Sequence, residues 1–178
     1  MRLKIFFLLI WLASAPSSSG LTANRPTLLG SSAESGEADS QTIDLRKVLR
    51  VVDGDTIVVS PNERVRLIGV DTPETVHPAK AVQCFGREAK EFTRRMIGGQ
   101  TVRLVLDEFN EARRHRDKYG RILAYVYLKD GIFLNADLVR RGYAHAYTRF
   151  RFRYVVEFRA LEREARRREL GLWSSYRF

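Results

Sequence analysis

The chain has 178 residues, with 31 Lys and Arg against 21 Asp and Glu, three His, one Cys and a formal net charge of +10. At about 150 residues per domain this is one globular domain with short extras, and 44% hydrophobic and 11% aromatic content excludes a wholly disordered basic protein. A lone cysteine, Cys84, excludes an internal disulfide framework, and with three histidines leaves too few ligands for a zinc module. The charge favours a polyanionic partner, nucleic acid ahead of a membrane surface or an acidic protein.

Arg2 and Lys4 precede the apolar run Ile5 to Leu12, and Ala13-Ser14-Ala15 follows with small residues. That order predicts a secretory signal over roughly residues 1–20, hence a protein exported to the periplasm or the medium. The run is shorter than the roughly 20 residues that span a bilayer, so no stable membrane span is expected. Residues 21–44, rich in Ser, Gly, Thr and Ala, read as a flexible linker. Residues 1–44 hold three basic and four acidic residues, so the remaining 134 carry +11. The positive charge belongs to a folded domain over 45–178.

Within it, Val48–Val52 and Thr56–Ser60 predict two strands around Asp53-Gly54-Asp55, and the alternation in Arg64–Val70 a third. Val82–Ile97 has helical spacing, with Val82, Phe85, Ala89, Phe92 and Met96 on one side and Gly98-Gly99 at its end. Cys84 beside that stripe is expected to be buried. Thr101–Leu106 and Arg121–Leu128 complete five strands, and Leu134–Arg141 and Val155–Glu169 are helices, the last with Glu164–Arg168 as an i, i+4 pair. A small, partly open β-barrel buttressed by helices fits this pattern, as do other α+β layouts.

The acids near turns are Asp53 and Asp55 in DGDT, Asp71 in VDTPE, and Glu74 three residues on. Converging carboxylates repel unless protonated or bridged by a cation, and a hard divalent ion takes oxygen ligands. DGD alone is equally what a hairpin turn requires. Arg66 and Arg121 add to the acids, because guanidinium groups contact phosphate in planar, bidentate fashion. A cation, a carboxylate that takes a proton from water and two arginines are the parts of phosphodiester hydrolysis. Phe150–Tyr154, FRFRY, interleaves rings and arginines. It suits either an extension of a substrate groove or packing of the last helix on the barrel.

In order along the chain, VVDGDTIVV, VRLIGVDTPET, HPAKAVQCFGREAKEF, DKYGRILAYVYL and GLW resemble the thermonuclease family, secreted calcium-dependent nucleases of staphylococcal nuclease type, over about residues 46–174. The resemblance implies a mainly β, α+β protein: a five-stranded OB-fold barrel with three α-helices. It also implies calcium-dependent hydrolysis of DNA and RNA with little sequence preference, leaving 3′-phosphate ends, by a monomer with no obligate protein partner. By motif position Asp55, Asp71 and the Thr72 carbonyl match the Ca2+ ligands, and Asp53 the acid beside them. Arg66, Glu74 and Arg121 match the catalytic set, with Glu74 as base or organiser of the water. Tyr119 and Tyr147 match substrate-contacting tyrosines. His145 stands where the family commonly has a tyrosine, and the loop Asp107–Arg116 is longer and more basic than the family's turn. A non-catalytic nucleic-acid- or protein-binding module of the same fold is the competing reading, but clustered acids would gain such a module nothing beside a polyanion.

Overall fold

The structure is a computed structural model that describes residues 44–75 and 84–174. The expected signal and linker over residues 1–43, and the first part of the helix predicted from Val82, lie outside the described residues.

Five strands close a barrel in the order β1 (Asp44–Asp53), β2 (Thr56–Val59), β3 (Glu63–Leu67), β6 (Ile122–Tyr127), β5 (Thr101–Val105), the last returning to β1. All pairings are antiparallel except β3 with β6, which is parallel. This is the OB-type barrel that the family resemblance implies, closed where the strand pattern alone suggests a partly open one. β1 is longer than its apolar run suggests. Its first residues, Asp44–Lys47, pair with β5, and from Val48 onward it pairs with β2. Register shifts between Val48 and Arg50 and between Val51 and Asp53 bend it from one neighbour to the other. Val48, Ile57, Val59, Val65, Leu67, Val102, Ala124 and Val126 fill the interior, all nearly inaccessible to solvent.

The predicted third strand is two. It breaks at Ile68-Gly69, and β4 (Val70–Asp71) leaves the barrel to pair with β7 (His145–Ala146), so that Asp71 lies opposite His145. Around the barrel pack α1 (Gly86–Ile97), α2 (Leu134–Arg140) and α3 (Val155–Arg167). α1 buries Ala89, Phe92 and Ile97, and Phe85 and Phe92 stack on Tyr143 at 5.5 and 4.3 Å between ring centroids. Cys84 is exposed rather than buried, because it lies in the turn ahead of this helix. On α2 the buried Asn135 donates from Nδ2 to the carbonyls of Ile68 (2.9 Å) and Ala124 (3.3 Å). Its Oδ1 accepts the Val126 amide at 2.9 Å. One side chain thus ties the helix to β6 and to the break between β3 and β4. α3 buries Phe158 and Ala165 as its spacing predicts. Its exposed face carries Arg166 bonded to Glu162 and Arg167 to Glu164, in place of the expected Glu164–Arg168 pair. The loop after β5 contains a 3-10 helix, Glu108–Arg113, that its basic composition did not announce. Among the described residues no helix is long and apolar enough to cross a membrane.

Candidate active site

The site is built on the turn between β1 and β2, and hydrogen bonds from Thr72, Thr75 and Thr93 fasten that turn to its neighbours. Asp53 accepts from the Thr75 hydroxyl and, at 3.4 Å, from the Thr75 amide. Asp55 accepts the Thr72 amide at 3.0 Å on Oδ2 and the Thr56 hydroxyl at 2.9 Å on Oδ1. The Gly54 carbonyl accepts from the buried Thr93 hydroxyl of α1 at 2.7 Å. A Cβ on Gly54 would lie 2.7 Å from Thr72 Cγ2, so only glycine lets the loop after β4 close on this turn. The acids of DGDT therefore act as acceptors that fix residues 72–75, and with them the backbone that carries Glu74. Glu74 itself is half-buried.

Arg66 points from β3 into the same place. Its Nη1 donates to the carbonyls of Leu67 (3.0 Å) and Val70 (2.5 Å). Its Nη2 lies 3.2 Å from Asp55 Oδ2 and 3.3 Å from Asp71 Oδ1. Two carboxylates, Asp55 from the β1–β2 turn and Asp71 from β4, thus converge on one guanidinium nitrogen. Burial pushes the Asp71 carboxyl above its ordinary range; Arg66 pulls it down, Asp55 pushes it up, and His145 across the β4–β7 pair pulls it down. With 52% of the side chain open to water, solvent tempers that push.

Arg121 reaches the cluster from the other side. Its Nε donates to Asp117 at 2.7 Å and its Nη1 to the Thr56 hydroxyl at 3.3 Å, which in turn donates to Asp55. Tyr119 stands on the exposed turn before β6, and the Arg121 guanidinium lies 5.4 Å from its ring centroid. Tyr147 is linked to the site through its backbone, its amide donating to the Gly69 carbonyl at 2.9 Å. The structure thus brings Asp53, Asp55, Arg66, Asp71, Thr72 and Arg121 together, sets Glu74 in the adjoining loop, and leaves Tyr119 and Tyr147 on the flanks. His145 turns toward Glu162 of α3, with Nδ1 3.6 Å from its carboxylate, and meets Trp173 edge-on.

A hard cation suits this donor set. Asp55 and Asp71 converge on one point, and Thr72, whose amide bonds Asp55, has its Oγ1 buried without a hydrogen-bond partner. No group of three His, Cys, Asp or Glu side chains converges among the described residues, so two carboxylates would be supplemented by carbonyl and water oxygens. Sequence reasoning missed Thr56, Thr75, Thr93 and Asp117, the residues that hold the acids and Arg121 in place. Their short polar side chains beside turns were the available signal.

A small OB-type barrel that gathers acids and arginines at the β1–β2 turn has the parts to bind and polarise a phosphodiester. Residues 64–175 match the family described as "Staphylococcal nuclease homologue". The thermonuclease of Staphylococcus hyicus is 40% identical over 148 residues, covering 81% of this chain and 82% of that protein. The thermonuclease of Staphylococcus intermedius is 44% identical over 134 residues, covering 71% and 74%. Endonuclease YncB of Bacillus subtilis is 38% identical over 130 residues, covering 70% and 59%. The chain belongs to the staphylococcal nuclease family and is a nuclease.

Proposed function

We propose that this protein is a calcium-dependent endonuclease that hydrolyses DNA and RNA with little sequence preference and leaves 3′-phosphate ends. The observation that carries the reading is the convergence of Asp55 and Asp71 on Arg66 Nη2, at 3.2 and 3.3 Å, beside the Thr72 amide. Asp55, Asp71 and the Thr72 carbonyl would hold Ca2+, with Asp53 behind them bracing the Thr75 loop. Bound there, the ion would neutralise both carboxylates and polarise a phosphoryl oxygen.

Glu74 takes a proton from the attacking water, whose oxygen bonds to phosphorus. Arg66 and Arg121 stabilise the charge that grows on the phosphoryl oxygens. The bond from phosphorus to the 5′-oxygen breaks, that oxygen takes up a proton from solvent and leaves as a hydroxyl, Glu74 returns its proton to solvent, and the phosphate stays on the 3′-oxygen. Tyr119 and Tyr147 position the substrate on either flank. Contacts to phosphate carry no base information, which accounts for broad specificity. Export by the N-terminal segment, and action as a monomer in the periplasm or the medium, complete the proposal.

Incubating the folded protein with single- and double-stranded DNA and RNA, with calcium and with chelator, tests it. The expected result is cleavage only with calcium, giving ends that need phosphatase treatment before 3′ extension. No calcium-dependent cleavage, or fragments that extend without that treatment, overturns the respective part of the reading.

A further inference from the structure

Beside the cleft, the loop after β5 meets the segment between β7 and α3, and a single buried acid joins them. Asp107, fully buried, accepts the Phe109 amide at 2.8 Å on Oδ1; its Oδ2 accepts the Arg153 amide at 2.9 Å and the Tyr125 hydroxyl. This clamp sets the two segments along an open groove of about 430 Å³. Its rings are solvent-facing: Phe109 is 39% exposed and Phe150 51%. Arginines lie against them. The Arg151 guanidinium is 4.3 Å from the Phe109 ring centroid, and those of Arg113 and Arg149 are 5.5 and 6.0 Å from Phe150. Glu108, at 3.7 Å from Arg153, is an acid of the rim already paired, and Glu111 lies exposed on the same 3-10 helix. FRFRY thus divides its labour: Phe152 and Tyr154 pack inward, while Phe150 and its flanking arginines face out.

The groove lies beside Tyr147, on the flank of the site. Phe150 lies 5.9 Å from the Tyr147 ring, and Tyr147 is hydrogen-bonded to Gly69, two residues from Asp71. Partly exposed rings with guanidinium groups over them match a polymer that alternates flat bases with phosphates, and bases present their faces only when unpaired. We propose that this platform is a separate binding subsite for the nucleotides flanking the scissile bond of a single-stranded polynucleotide. Phe150 and Phe109 stack bases, and Arg113, Arg149 and Arg151 neutralise phosphates. The inference rests on the nuclease reading for the strand's path past Tyr147.

The test is the affinity of the full protein, in chelator, for a thymidine dinucleotide, a twelve-nucleotide oligothymidylate and a twelve-base-pair duplex. Replacing Phe150→Leu should weaken the oligothymidylate about tenfold, the size of one lost stack, while Phe150→Trp retains it. Dinucleotide and duplex affinities should not change, nor should the thermal midpoint. Arg113→Ala and Arg149→Ala should each flatten the salt dependence of the oligothymidylate by about 0.7 in log–log slope. Equal losses for dinucleotide and oligothymidylate, no loss for either, or equally strong competition by polyglutamate each overturn the subsite. Cleavage by the wild type with calcium is measured in parallel. Its absence beside a length-dependent, Phe150-dependent affinity would sink the nuclease reading and leave the subsite standing.

Discussion

The Asp117 carboxylate holds Arg121 at two points and Tyr119 at one: one oxygen accepts the Arg121 amide at 3.0 Å and the Tyr119 amide at 2.9 Å, and the other accepts Arg121 Nε at 2.7 Å. The turn before β6 is therefore wound around a carboxylate that also aims the guanidinium at the acid cluster. Misplacing a charge-stabilising group by a fraction of an ångström to an ångström costs up to about 100-fold in rate. Asp117→Ala should lower kcat by roughly 10- to 100-fold and cost about 1 kcal/mol of stability. Asp117→Asn, which keeps an acceptor for the amides but loses the charge partner of Nε, should retain stability and still lose kcat. Normal turnover in both variants would show that Arg121 needs no positioning.

Gly86 opens α1 against the loop that carries Glu74. A Cβ there would lie 2.9 Å from Thr75 Cγ2, 3.0 Å from the Pro73 carbonyl and 3.2 Å from the Glu74 carbonyl. Two of these neighbours are backbone, so the loop must move. Gly86→Ala should raise helix propensity by up to about 1 kcal/mol, which offsets the clash in stability, while kcat falls at least tenfold, a loss of about 1.4 kcal/mol in the barrier. A denaturation midpoint near wild type together with poor turnover is the expected pair of readings. Wild-type turnover would mean that the 73–75 loop is free to give without consequence.

How far the sequence carried can be judged from these same elements. The β-branched runs of β2 and β6 and the stripe of α3 announce themselves, because their periodicity is local and their burial follows from it. The acids and arginines of the site were legible from residue type and motif order. What holds them was not. The β4–β7 pair spans two residues on each side, too short for any alternation, and forms because the break at Gly69 returns the chain to meet residues 145–147. Thr93 reaches Gly54 across 39 residues and Asp107 reaches Arg153 across 46; no spacing rule covers such contacts. Cys84 went the other way: although it sits between Val82 and Phe85 of the expected stripe, it falls in the turn before α1 and faces solvent.

Tyr125 and Tyr127 give the fold a defined alkaline limit. Burial, then the hydrogen bond to Asp107, pushes the Tyr125 phenol far above the ordinary value of 10.0. Burial, then the Tyr154 hydroxyl, raises Tyr127. In the unfolded chain both ionise near pH 10. Above that pH the folded state keeps protons that the unfolded state releases, so their stabilisation is complete below about pH 10 and declines as pH rises further. Spectrophotometric titration should show a fraction of the seven tyrosines ionising only as the protein unfolds, and urea midpoints should fall between pH 9 and 11. A single titration near pH 10 with the fold intact contradicts the buried-phenol account.

Calcium should stabilise the folded protein through Asp71, and the geometry makes this separable from structural damage. Asp71 has half its side chain in solvent, and Arg66 keeps Asp55 and the carbonyls of Leu67 and Val70 as partners if Asp71 is replaced. Asp71→Asn should therefore leave stability in chelator close to wild type, because removing one of two converging like charges offsets the lost ion pair. Calcium at 100 times its dissociation constant stabilises a one-site protein by about 2.7 kcal/mol. Wild type should show a gain of that order in denaturant titrations at saturating calcium. Asp71→Asn at the same calcium concentration should show a much smaller one, since its affinity falls with the missing charge. Equal gains in the two proteins would place the cation elsewhere. A wild type indifferent to calcium, alongside full cleavage in chelator, would remove calcium from the reaction altogether.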